Sequence, residues 1–171
     1  MTEPIELSAY DPTWPATFER ERALIAPILG TNAGQIEHMG STSIPGLPAK
    51  PIIDVIVLVD DLEAARGAIP ALEATGYSFW ADNPDRAKLF LVKGLPPAPH
   101  RTHHLHIYEN ADEVERHLIF RDRLRAEPRL RDAYLLLKTD LASRFRNDRE
   151  AYTNHKADFI NEVVRPPSRL A

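Results

Sequence analysis

The chain has 171 residues, 43% hydrophobic and 27% charged, with a formal net charge of -4, which is ordinary globular material with enough apolar content for a substantial core. Cysteine is absent, which excludes disulfides and thiolate metal sites. No apolar run approaches the roughly 18 residues that span a bilayer, and no charged-then-apolar leader opens the chain, so we expect one soluble, cytoplasmic domain over residues 1–171 that avoids membranes. The small net charge does not favour nucleic acid as a partner; a polyanion has to be met by a local basic pocket.

Ile5 and Leu7 alternate with polar neighbours and predict a short first strand or an extended arm leading to a turn at Asp11-Pro12. Thr13 is the expected cap of a helix from Trp14 to Leu29, with Trp14, Phe18, Leu24, Ile25 and Ile28 inward, Glu19-Arg20-Glu21-Arg22 on the wet face and Gly30 as the stop. Trp14 and Phe18 read as core anchors rather than a stacking platform. Gln35 to Met39 reads as a strand with Ile36 and His38 on one side, delivering Gly40-Ser41-Thr42-Ser43. Gly40 and Ser41 let backbone approach a ligand, and Ser41 and Ser43 add hydroxyl donors; the alternative is a plain turn whose hydroxyls cap a short helix. Pro45, Gly46, Pro48 and Pro51 stiffen the next loop and restrict Lys50, which reads equally as a phosphate holder or an ordinary surface lysine.

From Ile52 to Val59 the period of two puts Asp54, Ile56 and Leu58 on one face and Ile53, Val55, Val57 and Val59 on the other, a central strand covered on both sides. Burying an unpaired carboxylate is costly, so Asp54 calls for a partner or a use. A Gly-Ser turn a fixed loop before such an acid offers N–H groups to an anion and a carboxylate to its cation.

Asp60-Asp61 caps a helix to Ala74, with Leu62, Ala65, Ile69 and Leu72 inward, a kink at Pro70 and Gly76 as the stop. Tyr77–Trp80 and Arg86–Val92 are predicted strands joined by the turn residues Asp82-Asn83-Pro84-Asp85, the antiparallel part of a mixed sheet. In His100–Glu109 a strand puts His104, His106 and Tyr108 on one face and His103, Leu105 and Ile107 on the other, with His103 a core or interface histidine and His100 a loop residue. Two imidazoles at i and i+2 can share a pocket, where neutral imidazole suits Zn²⁺, Mn²⁺, Fe²⁺ or Ni²⁺ and suits Mg²⁺ poorly; a hydrogen-bonded structural role is the alternative. Three helices follow: Ala111–Glu127, capped by Asn110, with Val114, Leu118, Ile119 and Leu124 inward; one from Arg129 with Leu130, Tyr134, Leu137, Leu141 and Phe145; and one from Asn147 or Asp148 with Tyr152, Phe159, Ile160 and Val163, before Arg165-Pro166-Pro167 closes the ordered part. Tyr152 and Lys156 lie four apart on one helical face, placed either to reach a base and a phosphate or, for the lysine, to snorkel.

The run His38-Met39-Gly40-Ser41-Thr42-Ser43-Ile44-Pro45-Gly46-Leu47, followed by Ala49-Lys50-Pro51-Ile52-Ile53-Asp54, resembles the GrpB family (UPF0157). The resemblance continues through Tyr10, Trp14-Pro15, Phe18, Arg101–His106, Phe120-Arg121-Asp122, Leu137-Lys138, Tyr152, Lys156 and Phe159-Ile160. It implies an α+β nucleotidyltransferase-like fold, a mixed β-sheet flanked by helices with the C-terminal helices packed on it. Working nucleotidyltransferases of this fold carry two carboxylates two residues apart on the Asp54 strand to share Mg²⁺, and this chain has Ile56 at the second position, which leaves the enzymatic reading open. A third carboxylate of such folds comes from a neighbouring strand, the side on which the resemblance places His104 and His106.

The combined expectation is a divalent metal (Mg, Mn or Zn) held by Asp54, His104 and His106, with Asp54 also the catalytic candidate. Around it Gly40, Ser41, Ser43, Lys50, Arg101, Tyr152 and Lys156 bind a nucleotide or phosphorylated small molecule. Three functions fit: transfer of a nucleotidyl or phosphoryl group to an acceptor, a non-catalytic nucleotide- or anion-binding module, or an accessory domain with a protein partner, as in the family's fusions to dephospho-CoA kinase.

Overall fold

The computed structural model describes residues 5–98 and 100–165. An arm from Ile5 bonds to Arg146 O and forms an isolated bridge between Ser8 and the loop residue Ala49, the extended alternative rather than a first strand. Helix α1 (Trp14–Leu29) follows, and its start is fixed by Asp11 rather than Thr13, since Asp11 Oδ1 accepts from both the Thr13 amide and hydroxyl at 2.8 and 2.7 Å. Thr13 is itself in helical backbone conformation, so its hydroxyl cannot turn back onto the first turn.

Strands β1 (Ala33–Met39), β2 (Ile53–Val59), β3 (Tyr77–Phe79), β4 (Lys88–Lys93) and β5 (His103–Tyr108) form one sheet in the order β1-β2-β5-β4-β3. Only β2 and β5 are parallel. Their crossover runs through α2 (Leu62–Gly67), α3 (Ile69–Glu73) and the β3–β4 hairpin. Asp61 caps α2 by accepting from the Glu63 and Ala64 amides. The kink expected at Pro70 is a full break at Ala68, because proline lacks the donor for the next helical bond and enters α3 in its first turn.

One face of the sheet, with Ile53, Val55, Val57, Leu89, Leu91, Leu105 and Ile107, packs on α1, α2 and α3 through Trp14, Phe18, Ile25, Ala65, Ile69 and Leu72. Trp14 and Phe18 are core anchors, as their spacing indicates. Two positions on α1 differ from expectation: Leu24 is exposed, and Glu21 is buried. Trp14, Phe18, Glu21, Ile25 and Leu29 form the buried stripe of α1, so Glu21 faces inward and accepts from Lys93 Nζ at 2.7 Å.

The other face carries Asp54, Ile56 and Leu58. It is covered by α4 (Ala111–Ala126), capped by Asn110, and beyond it by α5 (Pro128–Arg144), α6 (Arg149–Asn154) and α7 (Ala157–Val164). Pro128 opens α5 rather than only ending α4. Ile119 on α4 is exposed, not inward. The single helix expected after Asp148 is two, α6 and α7, separated at His155-Lys156; Asp148 caps the first. Pro166 and Pro167 lie outside the described residues. Among the described residues no helix is long and apolar enough to cross a membrane.

Candidate metal and anion site

Parallel pairing of β2 with β5 sets Asp54 beside His104 and Ile56 beside His106, so the ladder itself brings the acid and both imidazoles onto one face. Asp54 Oδ1 lies 3.0 Å from His104 Nδ1 and 3.8 Å from His106 Nε2; the first is a hydrogen bond and the second a close polar contact. One ligand atom from each residue falls within 4.8 Å of the others. The Asp54 side chain is 27% exposed, enough to reach a bound ion. Burial raises its pKa, but contact with and charge from His104 and His106 outweigh that, and the carboxyl sits well below its ordinary range. Burial lowers His106 to about 4 against an opposing pull from Asp54, so its ring is neutral at pH 7. Phe90 of β4 packs on that ring with centroids 4.7 Å apart, which fixes its orientation.

Gly40 adopts φ 70 and ψ -173, a region essentially reserved for glycine. A Cβ there would stand 2.5 Å from Asp54 Oδ2, so the glycine makes room for the carboxylate. The turn after it, Ser41–Ser43, is a single 3-10 turn, and Ser43 Oγ donates back to Gly40 O at 2.6 Å. Ser43 is thus buried in holding the turn, and its carbonyl accepts twice from Arg125. Thr42 Oγ1 donates to Ile52 O, so at 2.9 Å His38 Nε2 must be the donor to Thr42, with His38 neutral because burial lowers its pKa to about 4.

These groups line a cleft of about 200 Å³ bounded by Ser41, Thr42, Asp54, His104 and His106 on one side and by Lys50, Lys138, Tyr152, Thr153 and Lys156 on the other. Lys138 lies outside the residues that the sequence points to as the site. It is 2% exposed, and its Nζ donates to Pro48 O at 2.7 Å. Burial, then the charges of Lys156 and Lys50, lower its pKa to about 7. Lys156 Nζ stands 4.3 Å and Lys50 Nζ 5.1 Å from the Tyr152 ring centroid, and burial lowers Lys156 to about 8.

The structure brings together Asp54, His104, His106, Ser41, Lys50, Tyr152 and Lys156, with Gly40 directly behind Asp54. Ser43 and Arg101 are not among the residues lining the cleft. Tyr152 is 1% exposed beneath its lysines, so its ring offers no free face for a base. Lys138 had a legible signal: with Tyr134 four residues before it and Leu141 three after, it is a charge on the apolar stripe of α5. Thr42 had none beyond membership of the turn.

A UPF0157 protein of Pseudomonas aeruginosa is 42% identical over 161 residues, which cover 94% of this chain and 66% of the relative. A dephospho-CoA kinase of Mycolicibacterium paratuberculosis is 30% identical over 185 residues, covering 95% of this chain and 46% of the kinase. Among solved structures, the conserved protein GrpB from Enterococcus faecalis superposes with a TM-score of 0.84 at 37% identity, covering 93% of this chain and 94% of that one. Cid1, solved with its short product ApU, matches with a TM-score of 0.54 at 18% identity, covering 77% of this chain and 42% of that one. An RNA terminal U-transferase matches at 0.51 and 20%, over 78% of this chain and 40% of that one. The mixed sheet with its flanking helices is therefore of the nucleotidyltransferase type. With the profile of the GrpB protein family matching residues 4–165, the chain belongs to that family.

Proposed function

We propose that the cleft binds the phosphate chain of a nucleotide, or of another phosphorylated small molecule, together with one divalent metal, for transfer of a nucleotidyl or phosphoryl group to an acceptor. The observation that carries this reading is the cleft's division of labour. Asp54, His104 and His106 converge on one wall, while Lys50, Lys138 and Lys156 occupy the other, with Asp54 the one acid among the lining residues. Lys138, whose pKa is lowered by burial and by the charges of Lys156 and Lys50, is relieved by an anion with several charges. The volume, about 200 Å³, is the room of about seven waters. That suits a short phosphate chain and a metal, with sugar and base lying outside the cleft.

In this arrangement the lysines neutralise the phosphate oxygens, and Ser41 offers a hydroxyl to the same chain. Asp54, His104 and His106 would hold the metal, which supplies charge where negative charge builds during transfer. Ile56, fully buried, leaves β2 with one carboxylate, so a second cation has no protein ligand from that strand.

The test is a thermal-shift titration of metal-stripped protein with ATP, GTP, CTP and UTP, each with and without Mg²⁺, Mn²⁺ or Zn²⁺, repeated on Asp54→Asn and Lys156→Met. A rise that needs both nucleotide and metal and is lost or reduced in the variants supports the site. No shift under any condition overturns it. The dephospho-CoA kinase relatives, in which the matching region is 46% of the length, favour a second reading as an accessory domain. An accessory role would leave Asp54→Asn indistinguishable from wild type.

A further inference from the structure

We infer that the Asp54–His104–His106 triad takes a first-row transition ion such as Zn²⁺, Co²⁺ or Mn²⁺, and that it discriminates against Mg²⁺. The inference rests on reading the cleft as a metal and anion site, and it concerns which ion that site selects.

The donor set is the first argument. Mg²⁺ demands a near-octahedral shell of oxygens and binds imidazole poorly, whereas imidazole beside a carboxylate suits the later divalent ions. The second carboxylate that would turn β2 into an oxygen-rich Mg²⁺ site is absent, since Ile56 holds that position and packs with Met39, Tyr108 and Val114. His106, paired with Ile56 across the ladder, brings nitrogen instead.

Geometry is the second argument. At metal–ligand bonds of about 2.1 Å, donors around a tetrahedral ion stand about 3.4 Å apart. The Asp54–His104 and Asp54–His106 separations of 3.0 and 3.8 Å bracket that spacing. Modest side-chain rotations would bring both to it.

The third argument comes from unmet hydrogen bonding. Both ring nitrogens of His106 are buried without a hydrogen-bond partner among the described residues, as is His104 Nε2. A buried polar atom is normally satisfied, and a cation at the centre of the triad satisfies His106 Nε2, the atom that faces Asp54. Three protein ligands also leave coordination positions open, the arrangement of catalytic rather than structural zinc sites. Those positions belong to the cleft that the lysines line.

The experiment offers metal alone, with no nucleotide or phosphate. Metal-stripped protein is titrated by calorimetry with Zn²⁺, Mn²⁺ and Mg²⁺, and by visible absorption with Co²⁺. Zn²⁺ and Co²⁺ are expected to bind at one per chain, at least about a hundredfold more tightly than Mg²⁺, with Co²⁺ developing d–d bands. Asp54→Asn and His106→Asn, both close in shape to the native residues, should each weaken Zn²⁺ by about a hundredfold. His100→Ala, at an exposed loop position, should leave it unchanged. His106→Asp should move the preference toward Mg²⁺. Thermal melts of each variant establish that it is folded. Equal affinity for Mg²⁺ and Zn²⁺, or a Zn²⁺ affinity that Asp54→Asn does not alter, overturns this inference alone. Absence of binding by every ion overturns it together with the metal half of the proposed function.

Discussion

The two walls of the cleft are built by different means. The metal wall is a piece of sheet: Asp54 and His104 are direct partners across β2 and β5, and His106 follows two residues later, so backbone hydrogen bonds set its spacing. The lysine wall is assembled from a loop, α5 and the break between α6 and α7, regions with no shared backbone ladder. Its order comes from side chains, with two ammonium groups over the Tyr152 ring and a third tied to Pro48 O. The first wall is preorganised, with a carboxylate and two imidazole rings held side by side by the ladder. The second holds like charges together and is stable only because each is locally supported, and that repulsion is what a polyanion would remove.

The sharpest way to break the metal wall leaves its ligands in place. In Gly40→Ala the new Cβ meets Asp54 Oδ2 and Cγ, and the backbone lies where only glycine is comfortable. The carboxylate has to rotate off the imidazoles. We expect Zn²⁺ affinity to fall by about a hundredfold or more, with a loss of roughly 1–3 kcal/mol in stability. Calorimetric titration beside a thermal melt separates the two effects, and unchanged Zn²⁺ affinity would show that the approach of Gly40 does not position Asp54.

The lysine wall breaks with the opposite sign on stability. Lys138→Met should weaken tripolyphosphate binding by about tenfold, leave Zn²⁺ binding alone, and make the empty protein more stable at pH 7. The native lysine gives up its proton near 7 in the folded state, against 10.5 ordinarily. Between those values the unfolded chain binds more protons, so the penalty is full below about 7 and fades as pH rises. Wild-type stability should therefore climb by a few kcal/mol from pH 7 toward 10, partly through Lys156, which shifts the same way from about 8. His38 and His106, lowered to about 4, contribute a rise of the same sign that is complete by pH 7. Denaturant melts of the two proteins at pH 7 and 9 check this, and a wild type that does not gain relative to Lys138→Met would refute it.

The same contrast explains what the sequence revealed. Strand periodicity alone placed Asp54 with Ile56 and Leu58, and His104 with His106 and Tyr108, on single faces, and both faces stand as expected. That two strands would be neighbours came through the resemblance to a known fold. Two of the three lysines of the lysine wall, Lys50 and Lys156, are among the residues that the sequence points to, and Lys138 is the third. Its signal is a charge on the apolar stripe between Tyr134 and Leu141, and tertiary packing then buries it. Glu21 was misplaced for the same reason, since it follows the charged pair Glu19-Arg20 in sequence but sits on the Trp14–Phe18–Ile25 stripe of α1. The break at Ala68 reads in the sequence as a kink, because Pro70 shows where the helix is disturbed but not how far the chain turns there; the break at His155-Lys156 reads as continuous helix, because no proline or glycine marks it. Arg101 carries a signal, a guanidinium beside the His-x-His strand, yet it is not among the residues lining the cleft.

A finer test of the lysine wall compares the pH dependence of tripolyphosphate affinity in wild type and Lys138→Met. The groups acting on Lys138 are Lys156 and Lys50, which favour loss of its proton, and Asp54, which opposes it. In the empty cleft at pH 7 Lys138 is about half protonated. A bound polyanion raises its pKa, so binding draws in part of a proton, and affinity falls as pH rises through and above 7. The tripolyphosphate contributes its own ionisation, but equally to both proteins, so the difference between them isolates Lys138. We expect a severalfold steeper loss of affinity for wild type between pH 7 and 8, roughly in line with one partly protonated group. Repeating the calorimetry in buffers of different ionisation enthalpy should show proton uptake in wild type that is smaller in the variant. Identical slopes and identical proton uptake would mean that Lys138 is not in electrostatic contact with the ligand, and the anion would then have to be held by Lys50 and Lys156 alone.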